Sequence, residues 1–202
     1  MQNKLIYAVD GCDLIASKNG VWKLLVEAYG REQSAKLMPS TYLASDNDEL
    51  RAFLAAYDPR HMYICKKNIQ RKKGLLLTNN LDQLLQCQYR GYKVMQRYFQ
   101  DVLLIGGRKL NLRIYVLVLC DLDGSKRAYL HRNGMCLYTN QPYAKNSVHA
   151  AETQITSLNM DPSVYRTLPL DFVDLSRALF EGHGGLPPAY AAGGLRLSLI
   201  HI

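Results

Sequence analysis

The segment Lys109-Leu-Asn-Leu-Arg-Ile-Tyr-Val-Leu-Val-Leu-Cys120 alternates polar and apolar residues and then turns continuously apolar. Side chains of a β-strand point alternately to opposite faces. A strand over 110–120 therefore sets Leu110, Leu112, Ile114, Val116 and Val118 on one face, expected to pack on a core. Lys109, Asn111 and Arg113 share the reverse face. Two cations and an amide in a row on a rigid strand suit a polyphosphate or a carboxylate, since lysine offers a point charge and arginine a two-pronged donor. The same pattern also fits the solvated outer face of an antiparallel sheet.

Outward from this strand, helical spacing covers Val21 to Tyr29. Met38-Pro-Ser-Thr41 reads as a break. A second helix starts at Ser45 to Asp48, buries Leu50, Phe53, Leu54 and Tyr57, and stops at Pro59. Short strands are expected at Met62–Cys65 and Leu75–Thr78, a helix at Leu81–Gln88, and strands at Tyr92–Phe99 and Arg127–His131. Turns fall at Asp123-Gly124 and Asn133-Gly134. Helices mixed with hairpins define an α+β class with a mixed or antiparallel sheet and flanking helices. At 202 residues, with 48% hydrophobic and 21% charged, the chain has ordinary globular composition. Its apolar runs are too short to span a bilayer, and no basic-then-apolar leader opens it. Five scattered cysteines without a CxxC pair argue for a reducing, cytoplasmic setting rather than a disulfide framework or a zinc site.

The net charge of +8 favours an acidic partner. Six Lys or Arg and no Asp or Glu lie between Pro59 and Leu81. Most of them sit in the loop Lys66-Lys-Asn-Ile-Gln-Arg-Lys-Lys-Gly74, which could fold over phosphates, bind nucleic acid, or be a solvated turn. The main chain of Val94-Met-Gln-Arg-Tyr-Phe99 could read an adenine ring, though alone it is simply a strand. The histidines are single and show no metal spacing, and no GxSxG, Walker or GxGxxG motif is present. From Gly182 the chain turns rich in Gly, Ala and Pro, and Leu197–Ile202 reads as a translated transposon end. The expectation is a partial domain over 1–180 with a Gly/Ala/Pro-rich tail over 181–202 that is non-native at its end.

Taken in order, these segments resemble the tubulin–tyrosine ligase-like family. Asp13-Leu-Ile-Ala-Ser-Lys-Asn-Gly-Val-Trp22 is similar to its lysine-containing lead segment, and Met38-Pro-Ser-Thr-Tyr-Leu43 to its proline–threonine motif. Tyr63-Ile-Cys-Lys66 resembles its Trp-Ile-x-Lys-Pro strand, with Lys67 in place of the proline. Val94 to Phe99, Leu103 to Ile105 and Gly107 to Val118 follow its most specific pattern, and Asn133 to Tyr143 resembles the hairpin after it. The resemblance implies an ATP-grasp-like fold, incomplete here, with the central lobe and part of the C-terminal lobe. It implies an enzyme that joins tyrosine, glutamate or glycine to a carboxylate of tubulin or another acidic protein, by phosphorylating that carboxylate with ATP before the amine displaces phosphate. It implies a microtubule-associated cytoplasmic monomer that takes a free amino acid and uses neither nucleic acid nor membrane.

By motif position, Lys66, Gln96, Arg97, Tyr98, Phe99, Lys109 and Asn111 would bind ATP. Arg113 would be catalytic, holding the γ-phosphate or the acceptor carboxylate, and Lys73 would help bind substrate. Mg2+ ligands are expected beyond the end of this chain, because Asp171, Asp174 and Glu181 lie in a segment that reads as a linker. Several positions depart from the family pattern. Asn111 replaces an aspartate, Leu137 stands where an arginine is expected, and His149-Ala-Ala-Glu152 replaces His-Leu-Thr-Asn. They suggest a divergent branch whose present fragment is inactive. They also keep open a noncatalytic module of the same fold that binds nucleotide or acidic peptide.

Overall fold

The computed structural model describes residues 11–69, 74–121, 123–145, 150–156 and 161–181. They fall into two compact units, one ending at Phe99 and the other starting at Gln100.

The first unit opens with α1 (Cys12–Ala16) and α2 (Lys18–Leu37). Ser17 caps α2 by accepting a hydrogen bond from the Gly20 amide at 3.1 Å. The helix runs well past the expected Tyr29, crossing a kink at Gly30. Four strands then form one antiparallel sheet in the order β1-β4-β2-β3: β1 (Thr41–Leu43), β2 (Met62–Lys66), β3 (Leu75–Thr78) and β4 (Val94–Tyr98). Strand β1 corrects the expected break at 38–41. Pro39 stays outside the ladder, and pairing of Thr41 with Gln96, 55 residues on, makes the next three residues a strand.

Two helices cover one sheet face. Helix α3 (Asn47–Ala56) starts at Asp46, whose carboxylate accepts the Asp48 and Glu49 amides at 3.0 and 3.1 Å. Helix α4 (Leu81–Leu85) starts at Asn80 and ends three residues short of Gln88, in a series of turns that reaches Gly91. Phe53 and Leu84 from these helices meet Tyr42, Tyr63, Cys65 and Met95 of the sheet in one buried cluster. On the other face, Trp22 of α2 packs with Met38, Leu43 and Val94. Each large side chain so buried contributes about 1.5–3 kcal/mol.

The second unit contains β5 (Leu104–Ile105), β6 (Arg108–Arg113) and β9 (Met135–Tyr138) in one antiparallel sheet, and β7 (Val116–Cys120) and β8 (Lys126–Leu130) in a separate hairpin. Gly106 and Gly107 both take positive φ (55° and 73°), which closes the two-residue turn from β5 to β6. The expected single strand over 110–120 is therefore two strands. Strand β6 ends where its partner β9 ends, at Arg113 opposite Met135, and β7 turns to β8 instead. Leu110 and Leu112 do pack on the core of Cys136, Tyr138, Val164 and Leu175. Val116 and Val118 do not, at 59% and 46% exposed.

Three further elements complete this unit: α5 (Ala150–Thr153), a 3-10 turn (Pro162–Arg166) and α6 (Phe172–Glu181). Helix α6 corrects the linker reading of 171–181. Asp171 starts it by accepting the Val173 and Asp174 amides, both at 2.9 Å, and Phe172, Leu175 and Leu179 join the core. Among the described residues no helix is long and apolar enough to cross a membrane.

Candidate functional site

Alternation in three neighbouring strands of the first unit brings Thr41, Lys66 and Gln96 onto one face. Gln96 lies opposite Thr41 on one side and Ile64 on the other, and Lys66 follows Ile64 by two residues. The three side chains are buried, Lys66 at 8% exposed and Gln96 at 2%. The Lys66 ammonium donates to Gln96 Oε1 at 2.8 Å, Gln96 Nε2 donates to Thr41 Oγ1 at 2.7 Å, and the Thr41 hydroxyl donates to the Pro39 carbonyl at 2.7 Å. The direction of this chain is fixed from its far end. The Pro39 oxygen only accepts, so the Thr41 hydroxyl donates to it and keeps a lone pair for the Gln96 amide, which leaves the Gln96 oxygen for the lysine. A buried lysine charge is expensive unless hydrogen-bonded, and this arrangement supplies an acceptor.

Tyr98 shares that face by alternation, whereas Arg97 lies opposite Tyr63 on the reverse face. Phe99 follows the strand, 47% exposed, and the Arg97 guanidinium lies 5.5 Å from its ring centre. The basic loop closes through Lys67 N donating to Gly74 O at 2.9 Å. Gly74 has φ 69°, and a Cβ there would meet the Lys67 side chain at 2.8 Å, so glycine is required. Lys18, from the lysine-containing segment at the start of α2, donates to Ile69 O at 3.3 Å, and burial lowers its pKa. Lys73, the other loop residues 70–73 and His149 lie outside the described residues, as does the tail from Gly182.

In the second unit, β6 carries Lys109, Asn111 and Arg113 on the face away from Leu110 and Leu112. Lys109 is 6% exposed, and burial pushes its pKa down to about 8. Asn111 and Arg113 are half-buried, opposite Leu137 and Met135 of β9. Arg108, on the core side by alternation, anchors the strand by donating to the Thr139 and Asn140 carbonyls. The polar platform expected from period two is therefore present over 109–113. Among the described residues no group of three or more His, Cys, Asp or Glu is arranged to hold a metal.

Sequence reasoning named Lys66 and Gln96 but missed Thr41 as their partner. The available signal was the Pro-x-Thr motif at 39–41, but which strand β1 pairs with is a long-range fact that local pattern does not carry.

The sequence model of the Tubulin-tyrosine ligase family matches residues 3–167, and the chain belongs to that family. It is 27% identical to the protein polyglycylase TTLL10 of Rattus norvegicus, over 59% of this chain and 22% of that protein. It is 37% identical to the "Probable tubulin polyglutamylase TTLL9" of Bos taurus, over 38% of this chain and 15% of that protein. It is 30% identical to the "Inactive polyglycylase TTLL10" of Homo sapiens, over 42% and 16%. The chain thus spans between 9% and 22% of the length of the curated relatives it matches.

Proposed function

We propose that the chain is part of an ATP-dependent ligase, of ATP-grasp-like fold, that adds an amino acid to a carboxylate of tubulin or another acidic protein. The observation that carries this reading is the oriented Lys66–Gln96–Thr41 chain, which falls on the family's lysine and glutamine strand positions. The donor set fits a polyphosphate. In the first unit Lys66 presents an ammonium hydrogen-bonded to the Gln96 amide, and in the second Lys109 and Arg113 are two cations along one strand face. When bound, ATP supplies the phosphoryl group that activates the acceptor carboxylate. In this reading Lys66 binds phosphate oxygens, as does Lys109, which shares its strand face with Asn111. Gln96, Tyr98 and the main chain at Arg97 and Phe99 line the adenine pocket. Arg113 holds the γ-phosphate or the acceptor carboxylate, and Lys73 steers the acidic substrate. The ligands of Mg2+ are assigned to none of the described residues.

The test is titration of the chain with a fluorescent ATP analogue. Replacing Lys66 or Lys109 by Met removes a charge-assisted hydrogen bond worth about 1.5–3 kcal/mol, so affinity should fall roughly ten- to hundredfold. Unchanged affinity in both variants would refute the reading. A second reading, a noncatalytic module that binds without turnover, is favoured by Asn111 standing where the family pattern has aspartate. It predicts ATP-analogue binding by a longer parent protein that shows no amino-acid transfer.

A further inference from the structure

Alternation in β4 turns the Arg97 side chain away from Lys66 and Gln96, onto the face shared with Tyr42 and Tyr63. There it borders a cleft of about 250 Å3 lined by Ser40, Tyr42, Ala56, Asp58, His61, Tyr63 and Arg97. The polar groups of this cleft divide into used and unused. Asp58 is occupied: Arg60 Nε and Nη2 donate to its two oxygens at 3.0 and 2.6 Å, and His61 Nε2 lies 3.8 Å away. The Tyr63 hydroxyl is occupied too, accepting the Asp58 amide at 3.0 Å. Among the described residues, by contrast, the Arg97 guanidinium makes no ion pair, and the hydroxyls of Ser40 and Tyr42 make no hydrogen bond. Arg97 is half-buried, a costly position for a cation without a counter-charge. The Arg97 guanidinium lies 5.5 Å from the Phe99 ring centre, and the Tyr42 ring that carries one hydroxyl is held in place: Phe53 meets Tyr42 and Tyr63 edge-on at 5.3 and 5.4 Å, and Arg31 lies 5.3 Å from the Tyr42 ring centre.

We propose that this cleft binds a small organic carboxylate, seated on the Arg97 guanidinium and the Ser40 and Tyr42 hydroxyls, with its carbon body against Ala56 and Tyr63. The site is separate from the proposed nucleotide face and independent of it. A carboxylate is preferred over phosphate for two reasons. A guanidinium matches two coplanar oxygens with two parallel N–H bonds. The apolar wall of Ala56 and Tyr63 suits a ligand with a short carbon chain.

The 202-residue chain is titrated with propionate, glutamate and inorganic phosphate, following the Arg97 Nε resonance by NMR and the heat of binding by calorimetry. The expected result is saturable binding of propionate or glutamate in the millimolar range, tighter than phosphate, with the Arg97 resonance moving in step. Arg97→Gln should weaken binding by about tenfold or more, and Arg97→Lys by less. Tyr42→Phe deletes only the hydroxyl and carries the test if Arg97→Gln unfolds. It should weaken binding several-fold. Arg51→Gln, which removes an equal charge from an exposed position paired with Asp48, should leave binding unchanged. Absence of saturable binding, tighter binding of phosphate, or equal loss in Arg51→Gln would each overturn the proposal. Preference for glutamate over propionate identifies a free amino acid as the source, and the reverse a simple acid; either supports the site.

Discussion

Replacing Lys109 by Met should make the second unit more stable at neutral pH, and the gain should vanish in alkali. The lysine is 6% exposed, and burial lowers its pKa from 10.5 to about 8. Two and a half pH units correspond to about 3 kcal/mol, the cost of keeping the ammonium charged inside the fold. The folded pKa is the lower one, so between pH 8 and 10.5 the unfolded chain holds the extra proton. The unfolding free energy of the native chain therefore rises through that window, by at most about 1.4 kcal/mol per pH unit. Below pH 8 the full cost is present, and above 10.5 it is gone. Methionine fills a similar volume without the charge. Urea unfolding of both proteins at pH 7, 8.5 and 10 gives the difference, in which the other titrating groups cancel. The variant should lead by up to about 3 kcal/mol at pH 7 and by progressively less at the higher values. A difference that does not change with pH, or a variant less stable at pH 7, would show that the Lys109 charge is already compensated in the fold.

Further outcomes follow from the packing. Phe53→Ala deletes the ring that contacts Tyr42, Tyr57 and Tyr63 and should cost about 3–5 kcal/mol in urea unfolding. At pH 8 a chromogenic disulfide should modify Cys12 and Cys120 first, since both are exposed. Cys136 should lag because burial raises its thiol to about 11, and Cys65 because its hydrogen bond with the Cys87 thiol, and then burial, push its pKa up. Val118→Lys on the hairpin of β7 and β8, where Leu117 and Leu130 are 57% and 69% exposed, should reduce self-association measured by light scattering. Asn111→Asp with Leu137→Arg should show a coupling of about 0.5–1 kcal/mol in a double-mutant cycle of stability.

What could be read from the sequence was what short-range chemistry determines. Asp46 before an amphipathic run located α3, and the polar–apolar alternation of 109–113 located a two-faced strand. What could not be read depended on partners distant in the chain. Thr41–Leu43 is a strand because β4 lies beside it. Residues 110–120 break at Ile114 and Tyr115 because β9 ends opposite Arg113, a fact invisible in a run of apolar residues. Phe172–Glu181 carries acidic residues that suggest a linker, yet Asp171 caps it as a helix and its apolar side chains find the core behind β9. At the site, alternation correctly separated Lys109, Asn111 and Arg113 from the leucines. The Thr41 partner of Gln96 needed the register of three strands.

That register also changes the meaning of two departures from the family pattern. Taken one at a time, asparagine for aspartate at 111 and leucine for arginine at 137 look like two independent losses. Asn111 and Leu137 are direct partners across β6 and β9. A charge on either strand alone would lie half-buried with its cross-strand partner apolar, whereas an opposite pair at that spacing is mutually stabilising. Replacing both by neutral residues removes the pair without stranding either member, and it leaves Lys109 and Arg113 as the charged groups of that strand face. The net charge of the face is therefore the same as in the family pattern, because one negative and one positive charge are lost together, but no carboxylate stands between Lys109 and Arg113. In the proposed reading an anion on this face meets the two cations of β6 with no intervening carboxylate, but with one arginine fewer across the ladder on β9, so the net attraction is unchanged. On that reading the same loss removes a carboxylate from beside the nucleotide, where hard oxygen ligands would serve magnesium. The paired substitution, so read, leaves this strand face able to hold an anion while taking away a carboxylate that could assist its transfer.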